Sequence, residues 1–194
     1  PFTSTNLISM AKRLFDISMS LLALGVFALP MILIALLIKF KEHHPILFKQ
    51  ERLGIHKQPF LIFKFQTLVN EEATPIGKVL RRTGLDELPQ FINVLKGEMS
   101  IVGPRALTAS DIKRLGWDNE FHSQRWKVLP GITGLAQLYG GRHRKLSWFW
   151  DTYYLHNQTL PIDLGIIFFS FLVNFFGKRS VRKLLPPLTS THNT

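Results

Sequence analysis

Apolar residues fall into three patterns along this chain. The longest is unbroken: Leu21 to Ile38 runs for 18 residues without a charged side chain. That is close to the ~20 residues a helix needs to cross the ~30 Å hydrocarbon layer of a bilayer. The second pattern has a period of two. Ile46–Arg52 and Pro59–Leu68 read as strands joined by Leu53–Gln58, a turn containing Gly54. In the second strand Leu61, Phe63 and Phe65 alternate with Ile62, Lys64 and Gln66, which puts Lys64 on the face opposite the phenylalanines. The third pattern is helical. Leu88, Phe91, Ile92 and Leu95 share one face, and Gly97 is a natural stop. Asp111–Lys127 reads as one helix of mixed polarity. Ile162–Phe176 reads as an apolar helix, short for spanning, that carries Asp163 and Asn174.

Pro30 changes the reading of the long run. It removes its own N–H from the helix and presses on the carbonyl of Val26. Basic residues flank both sides, Lys12 and Arg13 before, Lys39 and Lys41 after, so charge gives the segment no preferred direction of crossing. A helix that dips in, bends at Pro30 and returns to the face it left satisfies both features, with arms of about 13 Å at 1.5 Å per residue. A proline-kinked spanning helix is the alternative. A signal peptide does not fit, because no small-residue cleavage site follows. Asp16, one turn after Lys12, is expected to form a structural ion pair at the membrane edge.

Composition narrows the class. A net charge of +11 combined with 46% hydrophobic residues suits a protein lying on an anionic membrane surface better than a soluble nucleic-acid binder. There is no cysteine, so neither a disulfide framework nor a thiolate metal site is available. The seven histidines lack metal-ligand spacing. Trp148, Phe149, Trp150, Tyr153 and Tyr154 beside Arg144 and Lys145 fit either a headgroup anchor or a packed core. One domain is expected at this length. Its parts are an N-terminal tail (1–11), a membrane helix (12–41), a catalytic domain at the membrane face (42–184) and a disordered tail (185–194).

The chemistry concentrates in Thr83–Arg105. Asp86 and Glu87 are adjacent carboxylates where a helix is expected to begin, with Asp86 as N-cap and Pro89 tolerated in the first turn. Taken alone, such a pair is ordinarily capping and dipole compensation. Gly103-Pro104 then presents Arg105, a guanidinium suited to bidentate phosphate contact. Acid pair, helix start and arginine together point to chemistry on a phosphate with a metal between the anions.

The same stretch resembles the signature of the bacterial sugar transferases, the monotopic phosphoglycosyl transferases, at Leu85–Gln90, Asn93–Gly97 and Val102–Arg105. Phe63-Lys64-Phe65 and Pro130–Gln137 match further family motifs, and the resemblance covers about Lys12 to Phe176. It implies an α/β fold with a helical majority: a re-entrant membrane helix broken at Pro30, a short strand pair and interfacial helices. It implies transfer of a sugar-1-phosphate from a UDP-sugar to polyprenol (undecaprenyl) phosphate at the cytoplasmic face of the bacterial inner membrane, with UMP released. Asp86 would be the nucleophile, Glu87 with Asp86 would hold Mg²⁺, and Lys64, Arg81, Arg105 and Arg142 would bind phosphate. Leu29, Gln66 and Tyr139-Gly140-Gly141-Arg142 depart from the family pattern. The rival from another class is a non-catalytic scaffold that binds anionic headgroups through its basic surface.

Overall fold

The computed structural model describes the backbone of residues 4–140 and 144–181. Most of these residues are helical, and the strands form three two-stranded sheets. The long apolar run belongs to two helices. α1 (Ser4–Val26) and α2 (Ala28–Leu37), the latter prolonged by a wider turn over Ile38–Glu42, meet at a 58° bend. The break falls at Phe27 (φ −93°, ψ 7°), three residues before Pro30. A proline distorts the helix on its N-terminal side, where its ring meets the carbonyl of the preceding turn, so the hinge precedes the residue that causes it. α1 starts well before Lys12, so the first arm is longer than the apolar run alone implies. No single helix among the described residues is long and apolar enough to cross a membrane; the bent pair passes that test only together.

Strands β1 (Leu47–Leu53) and β2 (Pro59–Phe65) form the expected antiparallel hairpin, with Phe48 opposite Lys64 and Arg52 opposite Phe60. The faces differ from the expectation. Phe60 and Ile62 enter the main core and Leu61 is exposed, so Lys64 lies on the core-facing side. Only Phe65 of the odd-numbered set is buried, against α2. Both faces of β2 are therefore partly covered, which alternation cannot distinguish from a half-buried strand. A short hairpin follows, β3 (Leu68–Val69) with β4 (Glu72–Ala73). α3 (Pro75–Thr83) is capped by the Thr74 side chain, which accepts from the Gly77 N–H at 2.9 Å, and begins at Pro75.

The helical spacing at Leu88–Leu95 becomes α4 (Gln90–Lys96), ending at Gly97. Arg13 of α1 donates to the Val94 and Leu95 carbonyls at 2.7 and 3.0 Å, placing a cation at the negative end of α4. β5 (Ser100–Val102) pairs in parallel with β6 (Gly131–Thr133), a sheet the hydrophobic pattern did not indicate because three-residue strands leave no periodicity. The two backbones cross so closely that a Cβ on Gly131 would lie 2.1 Å from the Gly103 nitrogen, which explains the glycines on both sides of the crossing.

The expected single helix over 111–127 is two elements. α5 (Ala109–Leu115) opens with a Thr108/Asp111 capping box and stops at Gly116 in the left-handed region, and a 3₁₀ stretch spans Glu120–Lys127. α6 (Arg144–His156) and α7 (Leu160–Phe176) complete the layer around β5 and β6, followed by the short α8 (Lys178–Val181). Both readings of the aromatic group hold in part: Trp150 and Tyr154 are core, while Phe149 and Tyr153 are exposed.

One buried polar cluster locks α1 to this layer. Lys12 Nζ contacts Asp163 of α7 at 2.7 Å and Asp16 at 3.9 Å. The Ile101 N–H donates to Asp16, and the Tyr154 hydroxyl lies 2.8 Å from Asp163. The ion pair expected for Asp16 is present, and Asp163 supplies the shorter contact. The remaining core lies in three clusters. The largest joins β2, α4, β5 and α6–α7; the second packs Ile34 and Ile38 of α2 against Phe65, Leu80 and Leu88; the third surrounds Trp117 and Trp126.

Candidate active site

α3 ends at Gly84, whose φ of +74° is a left-handed conformation that glycine adopts without Cβ strain. The chain re-enters a single 3₁₀ turn, Leu85–Glu87, before α4. Asp86 is therefore not the N-cap of α4, as the sequence suggested; Pro89 occupies that position and no side chain caps the helix. The physical reason lies in the apolar neighbours. Leu85 and Leu88 pack into the cluster under α2, and that packing winds the Asp-Glu segment into its own tight turn.

Asp86 is 8% exposed, and Glu87 beside it is half-buried. Lys64 reaches from β2 to form an ion pair with the Glu87 carboxylate. Burial pushes the Asp86 carboxyl above its ordinary range, and the charge of Glu87 pushes the same way. Lys64 and then Arg81 oppose both effects. Arg81, exposed on the last turn of α3, also lies 3.5 Å from the Thr67 hydroxyl. Two carboxylates and two cations from three separate elements thus meet around one turn.

Asn93, fully buried on α4, holds this arrangement in register. Its amide donates to the Leu61 carbonyl at 2.7 Å and to Glu98 at 2.6 Å, and its oxygen accepts from the Phe63 N–H at 3.0 Å. The side chain thereby satisfies the free edge of β2 as a neighbouring strand would. Sequence reading placed Asn93 in a motif without a role; its signal was a polar residue inside an apolar helical stripe.

Arg105 is the other described residue expected to contact phosphate. It lines a cleft of about 650 Å³ formed by α5, the 120–127 stretch and α6, together with Arg114, Trp117, Arg125, Arg144 and Ser147. The charges that bear on Asp86 are Glu87, Lys64 and Arg81, and none of these four residues lines that cleft. Arg125 is buried against Asp151 at 2.8 Å and also binds the Arg105 carbonyl. Arg142 lies outside the described residues. Pro30, the expected helix break, lies one turn past the hinge described above.

The donor chemistry at the acid pair fits a hard divalent cation. Asp86 and Glu87 are oxygen ligands that repel one another, and Mg²⁺ is commonly held by one or two carboxylates with substrate phosphates completing its shell. No cluster of three or more metal-ligating side chains occurs among the described residues.

Residues 7–177 match the bacterial sugar transferase family, and the chain belongs to it. It is 40% identical to an exopolysaccharide production protein of Rhizobium leguminosarum bv. phaseoli, over 81% of this chain and 91% of that protein. It is 35% identical to the UDP-glucose:undecaprenyl-phosphate glucose-1-phosphate transferase of Klebsiella pneumoniae, covering 86% of this chain and 40% of the relative. A UDP-N-acetylgalactosamine-undecaprenyl-phosphate N-acetylgalactosaminephosphotransferase of Aeromonas hydrophila is also 35% identical, over 81% of this chain and 42% of its own length. The chain thus spans nearly all of one relative and about two fifths of the two named for their transferase activity.

Proposed function

We propose that this chain is a phosphoglycosyl transferase that moves a sugar-1-phosphate from a UDP-sugar to undecaprenyl phosphate and releases UMP. The observation that carries the reading is the Asp86–Glu87 turn, a buried carboxylate and its half-buried neighbour faced by Lys64 and Arg81. The printed activities of the Klebsiella and Aeromonas relatives supply the substrate class.

In the first step an Asp86 oxygen bonds to the sugar-bearing phosphorus while the bond from that phosphorus to the bridging oxygen breaks, and UMP leaves with the electron pair. In the second step a phosphate oxygen of the polyprenol attacks the same phosphorus, and the acyl-phosphate bond breaks to restore the Asp86 carboxylate. Each step exchanges one P–O bond for another, and no proton need move. Covalent catalysis of this kind lets one site treat a soluble and a lipidic substrate in turn. Desolvation by the surrounding apolar residues strips Asp86 of water and leaves it a stronger nucleophile once ionised. Lys64 and Arg81 favour its ionised form and offer positive charge to the phosphoryl oxygens. Asp86 and Glu87 are the residues that would hold Mg²⁺, which supplies neutralisation of the donor's phosphate charge.

The placement is a monotopic one at the cytoplasmic face. Phe15, Asp16 and Met19 of α1 and Ile34 and Ile38 of α2 pack on the same domain, so both ends of the bent pair leave from one side. The apex between them, including Leu21, Leu22, Val26, Leu29, Ile32 and Leu33, is exposed and apolar. α7 adds an exposed stripe of Leu164, Phe168, Phe171 and Phe175 at helical spacing. Incubation with a panel of UDP-sugars and undecaprenyl phosphate tests the activity. UMP release that depends on the acceptor is the expected result, and its absence across the panel would contradict the reading.

A further inference from the structure

The cleft containing Arg105 and Arg144 is lined by none of the four residues around the acid pair, yet its charge is left unbalanced. Arg125 is neutralised by Asp151, and Asp111 is shared by Arg114 at 2.8 Å and Arg52 at 3.3 Å. Among the described residues that leaves two cleft guanidiniums, Arg105 and Arg144, without a carboxylate partner. Trp117 adds an indole ring to the same lining. A volume of about 650 Å³ is that of a small-molecule site rather than a packing defect. Two unpaired guanidiniums in one cleft call for an anionic ligand rich in acceptor oxygens.

The hairpin β1–β2 relates this cleft to the acid pair. Arg52, opposite Phe60, reaches Asp111 in the cleft wall, and Lys64 reaches Glu87. Arg52, Phe60, Ile62 and Lys64 share one face of the hairpin. Phe60 and Lys64 are four residues apart, about 13 Å of strand. A nucleoside-diphosphate sugar is long enough to lie across that interval, with its sugar-bearing phosphate at one end and its nucleoside at the other. Inorganic phosphate or a lone lipid phosphate is not.

We propose that this cleft holds the nucleoside-monophosphate half of the donor, with Arg105 on its phosphate and Arg144 toward the acceptor oxygens of base and ribose. The proposal rests on the transferase reading for the identity of the donor. It also gives the two unpaired guanidiniums a role: they retain the leaving group while the phosphosugar stays behind.

UMP binding to the full chain in lipid nanodiscs, measured by calorimetry, tests it directly. Arg144→Ala should weaken UMP by about tenfold or more, as expected for loss of a charge-assisted contact. Ser147→Phe, one turn further along α6, should do the same by filling the cleft without altering charge. Arg144→Lys should restore part of the affinity. In turnover, Arg144→Ala should raise KM for the UDP-sugar and leave KM for undecaprenyl phosphate as it was. UMP binding equal to wild type in both Arg144→Ala and Ser147→Phe would overturn the proposal, as would a rise confined to the KM of the lipid acceptor. Because UMP binding needs no chemistry, its loss in Arg144→Ala would uphold the cleft even if Asp86→Asn still turned over.

Discussion

Lys64 forms an ion pair with Glu87, while the buried neighbour Asp86 has no direct ion pair among the described residues. The lysine thus neutralises the acid that shares Asp86's turn and lowers the Asp86 pKa from a distance. Replacing it exposes both effects at once. Lys64→Met should cut turnover by about 100-fold, in line with losing a transition-state charge contact. It should also move the acid limb of the pH–rate profile to higher pH. The sign follows because Lys64 lowers the Asp86 pKa, and its removal leaves less positive charge, that of Arg81, to oppose burial and Glu87. A lower rate with an unmoved acid limb would mean that Lys64 acts only on the substrate.

The raised Asp86 pKa also has a stability consequence. Its folded value lies above the ordinary one of 3.8, so the proton is bound more tightly in the folded than in the unfolded chain. Stability from this group is complete below the unfolded pKa and is lost as pH rises through the folded value. Asp86→Asn, which removes the charge, should therefore raise Tm at neutral pH, and the gain should vanish as pH falls below 4. Thermal unfolding at pH 7.5 and pH 3.5 checks this; an unchanged or lowered Tm at pH 7.5 would show that the carboxylate is stabilised by contacts it does not make here.

Pro30 sets the hinge at Phe27, so its replacement is expected to relax the bend rather than unfold the domain. Single cysteines at Met10 and Lys41, both exposed positions, should label from the same side of sealed vesicles in the native background. Pro30→Leu should shift a fraction of molecules to labelling from opposite sides. Opposite-side labelling of the native sequence would establish a spanning helix.

How much of this was legible beforehand differs by element. The strand pair, the stop at Gly97 and the break near Pro30 were readable because each depends on residues adjacent in sequence. The face of β2 was not, because Phe60 and Ile62 are buried by α4 and β5, whose contacts lie 30 and more residues away. The parallel β5–β6 pair is fixed by a crossing of glycine backbones, which hydrophobicity does not record. At the site, Asp86, Glu87, Lys64 and Arg81 were named from the chain and converge in space. Arg105 was named as a phosphate contact, and it lines a cleft built by α5, the 120–127 stretch and α6, elements whose packing its local sequence does not record. Arg144 and Trp117 carried no sequence signal of their own, since an arginine at a helix start and a tryptophan after a glycine are ordinary.

The account turns on Asp86 becoming covalently phosphorylated by the donor. Protein incubated briefly with a UDP-sugar labelled in its sugar-bearing phosphate, without acceptor, should carry label that maps to the peptide containing Asp86, and undecaprenyl phosphate should chase it off. Label absent under single-turnover conditions in which product still forms, or found on any other residue, would contradict it.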